Sequence, residues 1–378
     1  MIGGPLRGPR RYGAPWRHVD VLLVAPTLAI AGIGLLMVYS ATRQGQAQAG
    51  GDPTFFLERQ AIFLAIGLVA MVAVTAFDYR LLRDASPVLW GAAVVTLVLV
   101  LSPLGDTTRG AQAWFNVGPL KVEPSEMAKL VLIVCLAAYA ADHEGHIEVP
   151  EVVRSLLVAA VPMGLILLQP DLGTALVFMA IVMGVLLVAG TRTRHIVALT
   201  GLGIVAVVAV FQMGLLQDYQ LERLTAFLDP EADIERSAYN LRQSQIAIAA
   251  GGIGGLGVFQ GPQTNLSYVP EQHTDFIFTA VGEELGFVGA GTLLALFAIV
   301  MWRTWRAAVL AKDQFGRLLC VGVLSMLLFQ VFENVGMTMG ITPITGITLP
   351  LVSYGGSSLL ATLIGVGLVL NVSMRRYA

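Results

Sequence analysis

The sequence predicts an all-α, polytopic membrane protein with about ten transmembrane helices. The chain is 56% hydrophobic and only 13% charged, whereas soluble domains carry about 25% charged residues. Its mean hydropathy is +0.75, and it contains ten apolar runs near the length of about 20 residues that a membrane-spanning helix needs. The net charge of −2 excludes nucleic-acid binding by bulk charge, because no basic field is present to release counterions from a phosphate backbone.

The apolar runs divide the chain into a short tail and one membrane domain. Residues 1–18 are rich in Gly, Pro and Arg, which predicts a disordered cytoplasmic tail, and 19–376 form the predicted single domain. The first run is too long for a signal-peptide core, so an uncleaved span is expected. The predicted spans are 19–39, 60–77, 86–102, 126–141, 152–168, 173–190, 195–212, 276–302, 318–340 and 357–373.

The distribution of basic residues predicts the orientation. With the N-terminus in the cytoplasm, 15 of the 23 Lys and Arg residues fall in inside segments and the other 8 outside or at outer helix ends. This bias follows the positive-inside rule and predicts that both termini are cytoplasmic. The long connection between the seventh and eighth spans, 213–275, is then extracytoplasmic. Its apolar residues recur at helical spacing, which predicts two helices lying along the membrane surface.

The sequence at 268–289, YVPEQHTDFIFTAVGEELGFVG, places acidic residues at and inside a predicted span. Asp275 lies at the mouth of the span beside His273, and Glu283 and Glu284 lie within it. A carboxylate below the interface costs roughly 2.5–3.5 kcal/mol and is by default a functional-site hypothesis. For the two glutamates a structural role, hydrogen-bonded to neighbouring helices, is the alternative.

Because successive spans cross the membrane in alternating directions, further polar residues are predicted to lie on the outer side. Between the ninth and tenth spans, TPITGITLPLVSYGGSS is too polar in its backbone to face lipid and is predicted to line or cover a cavity. Structural alternatives exist for several residues: Glu126 and Lys129 suit a helix pair, Asp171 suits a helix cap, and Arg43 suits a snorkelling cation. The outer polar residues are Arg43, Arg109, Lys121, Glu123, Ser125, Glu126, Lys129, Gln169, Asp171 and Asp275.

Two apparent motifs predict no site. The glycines of 252–257 match a dinucleotide fingerprint but follow no strand, so a tight turn is expected there. The His and Glu residues of 143–148 fall in a short loop of mixed charge, which favours a solvated loop over a metal site. Cys135 and Cys320 lie within apolar runs, where a thiol behaves as a small buried hydrophobe.

Cations beside carboxylates at an outer interface suit a lipid diphosphate. Arg or Lys can hold the anion while a carboxylate accepts a proton from an attacking hydroxyl. Glycosyl transfer from a lipid diphosphate is such a reaction. A transporter of the same lipid needs similar charges, so both functions remain open at this point.

Several long stretches resemble the SEDS family (shape, elongation, division and sporulation), and the likeness extends over 19–376. They are PEQHTDFIF, GEELGFVG, EPSEMAK, QPDLGTA, YNLRQSQIAIAAGG and NVGMTMGITPITGITLPLVSYGGSS. Gln272, where division members tend to have Ala, makes the chain look like RodA more than FtsW. The resemblance implies a glycosyltransferase that polymerises lipid II at the outer face of the cytoplasmic membrane, inverting the donor and releasing undecaprenyl diphosphate. A lipid II flippase, an FtsW-like division polymerase and an idle scaffold are the alternatives.

The resemblance also implies site residues and partners. Asp275 matches the family's essential acidic residue, taken to be the catalytic base or a metal-associated residue. Lys129 matches the lysine of the PSExxK motif, Asp171 the aspartate of QPDLGT, and Arg43 the arginine after the first span. Asp275, Lys129 and Asp171 are the predicted catalytic residues, and Arg43 and Lys129 are expected to hold the donor diphosphate. Glu123 departs from the Gln that many RodA-like proteins carry. A divalent cation (Mn²⁺ or Mg²⁺) and a class B penicillin-binding protein are the implied cofactor and partner. The predicted substrate-binding residues are Arg43, Arg109, Ser125, Glu126, Glu271, His273 and Ser353.

Overall fold

The computed structural model describes residues 18–108, 111–118, 120–143, 147–212, 218–228 and 236–376. Apart from His18, the predicted tail lies outside the described residues. The helices are α1 (Val21–Gln48), α2 (Phe55–Ala76), α3 (Leu81–Val100), α4 (Pro124–Asp142), α5 (Val149–Leu168), α6 (Leu172–Val188), α7 (Thr193–Gln212), α8 (Asp218–Leu228), α9 (Arg236–Gly251), α10 (Pro262–Asn265), α11 (Ile277–Val309), α12 (Gln314–Met339) and α13 (Gly356–Arg375). The strands are β1 (Asp106–Thr108), β2 (Ala111–Val117) and β3 (Leu120–Val122).

A helix stands at each of the ten predicted spans. Among the described residues, eight helices are long and apolar enough to cross a membrane. The other two predicted spans coincide with α6 and with α7, whose described apolar part is Thr193–Val205. The prediction of a helical, multi-pass membrane protein is therefore confirmed, and the count of ten crossings stays a prediction.

The antiparallel sheet between α3 and α4 was not predicted. Its strands lie in the order β1-β2-β3, and Phe115 pairs with Val122 across the second hairpin. Two of its strands have three residues each, which is too short for an alternating pattern to stand out in the sequence. Because β3 ends immediately before Glu123, the sheet leads directly into the start of α4.

Three helices form the centre of the bundle. The most apolar windows of α4 and α13 are 78% and 89% buried, whereas that of α3 is 11% buried. Apolar residues cover the whole circumference of such helices, so composition alone does not separate central from lipid-facing positions. The packing of α12 against α4, α6, α11 and α13 places it in the centre as well.

Ion pairs join the helix ends on the side predicted to be cytoplasmic. Arg80 pairs with Asp313 at 3.0 Å and Arg192 with Glu148 at 3.1 Å. Further pairs link Arg83 to Asp142, Arg303 to Asp20 and Arg375 to Asp78. Each pair joins two segments that were both predicted to lie on the cytoplasmic side. The pairs are therefore consistent with the predicted alternation of the spans.

Two helices differ from their predicted spans. α1 continues nine residues beyond 39, to Gln48, because Ala, Gln and Arg favour helix there and Gly50, at φ +73°, comes only after it. Arg43 therefore lies within α1. The predicted eighth span is interrupted, since Gly286 has non-helical angles of φ 66° and ψ −166° inside α11. The N–H groups of Phe287 and Val288 beyond this break donate to the carbonyls of Gly252 and Ile253, at 2.9 and 3.1 Å. These acceptors belong to residues 252–257, called here the glycine loop.

The predicted helices of the long connection are present as α8 and α9. α9 packs against α11 and α12. Its buried Ser244 hydroxyl lies 2.6 Å from the Thr279 hydroxyl and donates to the carbonyl of Thr338 at 2.8 Å. The long connection is thus anchored to α11 and α12.

Candidate functional site

Residues 341–355, called here the central segment, cross the end of the bundle predicted to be extracytoplasmic without helical structure. α12 stops at Gly340, which has a left-handed φ of 77°, and α13 begins at Gly356. The segment is largely buried, so its backbone groups need partners inside the protein. The Asn334 side-chain amide donates to the carbonyl of Ile347 at 2.7 Å, and that of Gln60 donates to the carbonyl of Ser353 at 3.0 Å.

Glycines allow neighbouring helices to approach the central segment closely. A Cβ atom on Gly34 of α1 would lie 2.4 Å from the carbonyl oxygen of Leu351, and one on Gly356 would lie 2.3 Å from the Phe63 ring. Real Cβ atoms do not approach other atoms so closely. Larger residues at these two positions would therefore displace the central segment.

Asp275 lies two residues before α11 and is half-buried. Its backbone carbonyl accepts a hydrogen bond from the same Asn334 amide nitrogen that holds Ile347, at 2.8 Å. Its carboxylate reaches Gly346 of the central segment: a Cβ there would lie 3.5 Å from Asp275 Oδ2 and 3.2 Å from Arg223 Nη1 of α8. The carboxylate thus faces the central segment, with a guanidinium group from the long connection beside it.

The approach to Asp275 is folded against α2 and the central segment. The N–H of Tyr354 donates to the carbonyl of His273 at 2.8 Å. The His273 ring lies 4.9 Å from the ring of Phe56 and 5.7 Å from that of Tyr354. Glu271 has a left-handed φ of 55°, a conformation that is uncommon for non-glycine residues and is concentrated at functional sites.

A second group of charges lies at the start of α4. Lys129 Nζ is 2.7 Å from Glu126 Oε2, and the two side chains are only 2% and 9% exposed. The Ser125 hydroxyl donates to the Glu123 carboxylate at 2.7 Å, and the Glu123 N–H donates to the Ser357 hydroxyl of α13 at 2.9 Å. The predicted helix pair is therefore present, but it is buried.

Asp171 caps α6, as one of the two sequence interpretations predicted. Its Oδ1 atom accepts a hydrogen bond from the Thr174 N–H at 2.9 Å. Two residues on, a Cβ at Gly173 would lie 2.9 Å from both the Thr345 carbonyl oxygen and the Ile347 side chain. The central segment thus contacts the start of α6 through Thr345 and Ile347 and the Asp275 carboxylate through Gly346.

The pKa of Glu123 records how closely these carboxylates are gathered. Burial is the largest cause, and together with the negative charges of Glu126 and Asp171 it raises the pKa of Glu123 from 4.5 to about 8. The starts of α4 and α6, which carry the EPSEMAK and QPDLGTA sequences, are thus brought together. We call Glu123, Glu126, Lys129 and Asp171 the acidic cluster.

Arg43 belongs to another network. Its guanidinium donates to the carbonyl of Phe259 at 2.9 Å and to Asn265 at 3.4 Å, and stacks 4.5 Å from the Phe259 ring. Arg43 is thus held by the long connection. That Arg43 and Lys129 together hold the donor diphosphate stays a prediction.

The remaining predicted site residues have varied outcomes. Ser353 is buried, and its hydroxyl accepts from the Leu349 N–H at 2.8 Å inside the central segment. Arg109 lies outside the described residues. Ser125, Glu126, Lys129 and Asp171 come together on one side of the central segment, and Glu271, His273 and Asp275 lie along another.

Sequence reasoning missed several residues that build the site. Asn334 and Gln60 hold the central segment, Ser357 holds Glu123, and Arg223 accompanies Asp275. Asn334 and Gln60 carry a detectable signal, since each is an amide side chain in or beside an apolar run. Arg223 carries none, because its position beside Asp275 depends on how the long connection folds.

The acidic cluster offers no ready place for the predicted divalent cation. Within the described ranges, no group of three or more His, Cys, Asp or Glu side chains is arranged to hold a metal ion. Glu126 is paired with Lys129, Glu123 accepts from Ser125, and Asp171 caps α6. These carboxylates do not fit a ready-made cation site, so no step of the reaction is assigned to a metal.

The model of the FtsW/RodA/SpoVE family, described as "Cell cycle protein", matches residues 21–378. The chain belongs to this family. Stage V sporulation protein E of Bacillus subtilis (strain 168) is 39% identical over 94% of this chain and 96% of its own length. The probable peptidoglycan glycosyltransferase FtsW of Trichlorobacter lovleyi is 36% identical over 97% of this chain and 95% of its own.

Solved structures of FtsW/RodA/SpoVE relatives share the fold. A chain from work on "structural coordination of polymerization and crosslinking by a peptidoglycan synthase complex" has a TM-score of 0.81 and 37% identity, covering 96% of this chain and 99% of its own. The rod shape determining protein RodA of Thermus thermophilus has a TM-score of 0.71 and 33% identity, covering 97% and 100%. Relatives named SpoVE, FtsW and RodA all match, so these comparisons do not separate a RodA-like from an FtsW-like role.

Glu123→Gln is expected to change how stability depends on pH. The folded-state pKa of about 8 lies above the ordinary 4.5, so the folded protein binds the proton more tightly than the unfolded chain. The contribution of Glu123 to stability is therefore most favourable below pH 4.5 and is lost as the pH rises from about 4.5 to 8. Gln removes this loss, so the unfolding temperature of the variant in detergent should decline less than that of the wild type between pH 5.5 and 8. Parallel curves would contradict the raised pKa.

Proposed function

We propose that this chain is a peptidoglycan glycosyltransferase that polymerises lipid II at the outer face of the cytoplasmic membrane. The observation that carries the proposal is the meeting of Asp275 and the acidic cluster around the central segment. Asp275 is half-buried at the mouth of α11, where a lipid-linked sugar entering from the membrane would reach it. Relatives of this length and similarity are named as probable peptidoglycan glycosyltransferases.

In the proposed reaction Asp275 is the general base. It accepts the proton of the acceptor's GlcNAc 4-hydroxyl as that oxygen bonds to the donor's MurNAc anomeric carbon. The bond from that carbon to undecaprenyl diphosphate breaks, and the anomeric configuration is inverted. The Asn334 hydrogen bond to the Asp275 backbone and the close approach of Gly346 hold the carboxylate in one place, and such pre-positioning lowers the barrier to reaction.

The proposal assigns the donor side to the acidic cluster. Lys129 is the cation of this cluster, and to bind a diphosphate it would exchange its Glu126 partner for the anion. In a buried site that attraction is stronger than in water. α4 and α6 both begin at this cluster, and the N-terminal ends of helices favour anions. The donor diphosphate would thus approach one side of the central segment while the acceptor hydroxyl approaches Asp275.

A class B penicillin-binding protein is the proposed partner. A similar chain belongs to a solved peptidoglycan synthase complex whose description couples polymerisation with crosslinking. A transpeptidase that acts on freshly made strands is the natural partner for a polymerase at the outer membrane face.

Asp275→Asn is expected to abolish polymerisation without unfolding the protein. Asn cannot accept the proton, and a positioned base contributes on the order of 10²–10⁴-fold in rate. The assay is glycan-strand formation from lipid II by purified protein with its penicillin-binding protein, Mn²⁺ or Mg²⁺, and moenomycin to silence contaminating enzymes. Asp78→Asn makes the same chemical change at the opposite end of the bundle and should remain active.

Retention of more than a few per cent of activity by Asp275→Asn would remove Asp275 from this role. If the wild type makes no strands with partner and metal supplied, the polymerase proposal fails. Lipid II movement across liposomes by the same preparation would then favour the transporter.

A double variant distinguishes a structural role of the buried Lys129–Glu126 pair from a catalytic one. Lys129→Met alone leaves the Glu126 charge buried without its partner, which costs roughly 3–5 kcal/mol, whereas replacing both members is often neutral. Lys129→Met/Glu126→Gln is therefore expected to regain the wild-type unfolding temperature but not polymerisation. A double variant with wild-type turnover would show that the pair serves folding only.

Within the family we propose a role in elongation, on the evidence of Gln272. This residue is buried and donates a hydrogen bond to Thr264 at 3.0 Å, so the residue that suggested the RodA-like assignment also has a defined structural partner. Depletion of the protein in its own cells should produce rounded cells. Long undivided filaments would instead indicate the division role.

A further inference from the structure

Two buried glutamates and a run of glycines are not used by the proposed reaction. Glu283 and Glu284 of α11 are 0% and 1% exposed, eight and nine residues beyond Asp275. A buried carboxyl group needs strong hydrogen-bond partners to offset the loss of water. Within the part of the chain that the structure describes, the hydrogen-bond donors to Glu283 come from one turn of the long connection.

The Glu283 carboxylate gathers three donors from α10. Oε1 accepts from the Gln263 N–H at 2.7 Å, and Oε2 accepts from the Thr264 N–H at 2.9 Å and from the Thr264 hydroxyl at 2.5 Å. Two of these donors are backbone groups at the start of a short helical turn, which have no partner within it. Glu283 therefore fixes the turn to the interior of the bundle.

The Thr264 hydroxyl links Glu283 to Gln272, which lies close to Asp275 in the sequence. Its single hydrogen points to Glu283, so its oxygen is left to accept, and the Gln272 side-chain amide donates to it at 3.0 Å. Gln272 is 3% exposed and precedes Asp275 by three residues. A continuous chain of hydrogen bonds thus runs from Glu283 through Thr264 to Gln272.

The glycines of the long connection allow this arrangement. A Cβ on Gly251 would lie 1.9 Å from the Gly282 carbonyl oxygen, one on Gly255 2.2 Å from that of Glu284, and one on Gly261 2.6 Å from Glu283 Oε2. These three glycines let the long connection pack closely against α11, whereas a Cβ on Gly252 or Gly254 of the apparent dinucleotide fingerprint would meet nothing within 4 Å. The predicted tight turn is also present, since Gly252, Gly255 and Gly257 have left-handed φ angles.

The neighbouring glutamate fastens α1 to the same structure. The Ser40 hydroxyl donates to Glu284 at 2.6 Å, and Arg43 donates to the carbonyl of Phe259 one turn further along α1. Phe259, Ser267 and Glu271 have left-handed φ angles of 67°, 54° and 55°. Such conformations persist only where the surrounding structure over-determines them, and here they fall in the stretch 259–271 that leads up to Asp275.

We propose that the hydrogen-bond chain Glu283–Thr264–Gln272 positions the Asp275 carboxylate for the reaction. Thr264 and Gln272 are positioning residues that act through the backbone of 272–275, and Glu283 anchors them to α11. This inference rests on the proposed function, because it assigns these residues to the polymerisation step.

Thr264→Val and Thr264→Ser form a matched pair of variants that tests the hydrogen-bond chain. Val has nearly the shape of Thr but no hydroxyl, whereas Ser keeps the hydroxyl and loses one methyl group. Because a small misplacement of a reacting group can cost about 10²-fold in rate, Thr264→Val is expected to lower kcat by about 10- to 100-fold while the KM for lipid II changes little. Thr264→Ser should retain kcat. Equal kcat in the two variants, or a loss confined to KM, would overturn the proposal.

Hydrogen exchange supplies a readout that does not depend on lipid II. Backbone amides of 271–276 should exchange faster in Thr264→Val than in wild type or Thr264→Ser, with α12 and α13 unchanged; equal exchange in all three would also overturn the proposal. If Thr264→Val fails to fold, Gln272→Met removes only the last link, leaves the donors to Glu283 intact, and is expected to show the same kcat loss and faster exchange. If the wild type makes no glycan strands, the proposed function fails. The exchange result still decides whether the hydrogen-bond chain positions Asp275.

Discussion

The structure depends on supplying hydrogen-bond partners to the non-helical backbone of the central segment inside a membrane protein. Lipid offers no hydrogen bonds, so irregular backbone at this depth is stable only where protein groups replace water. The central segment meets that requirement with side chains from other helices, above all Asn334, whose single amide nitrogen serves the carbonyls of both Ile347 and Asp275. The same interaction that stabilises the segment therefore fixes the position of Asp275.

This arrangement explains why the functional groups surround one segment. Thr345, Gly346 and Ile347 are consecutive, yet they contact the start of α6 and the Asp275 carboxylate. Ser357, just beyond the segment, accepts from the N–H of Glu123 at the start of α4. Residues separated by more than 150 positions in the chain are thus held around a short stretch of backbone that cannot move without losing its hydrogen bonds.

The two ends of the bundle differ in how deeply most of their charged pairs are buried. On the predicted cytoplasmic side Arg80–Asp313 and Arg192–Glu148 are partly or largely exposed, and such pairs contribute about 0–1 kcal/mol each; Arg303–Asp20 is the buried exception there. At the opposite end Lys129–Glu126 and the Glu283 network are buried, where loss of one partner costs several kcal/mol. Buried polar networks restrict conformation strongly when every member is satisfied, which suits an end that must hold reacting groups in place.

The sequence by itself determined the membrane class, the positions of the helices and the stretches that carry the site, because hydropathy, charge bias and long motifs are local properties. Tertiary structure decided the extension of α1, the break at Gly286, the partners of Arg43 and Glu283, and the burial of Lys129. Each depends on contact between segments far apart in the chain: Gly286 breaks the helix where the glycine loop packs against it, and Arg43 is drawn to a carbonyl 216 residues away. Hydropathy reports how a residue partitions between water and lipid, and it carries no information on which buried donor meets which acceptor.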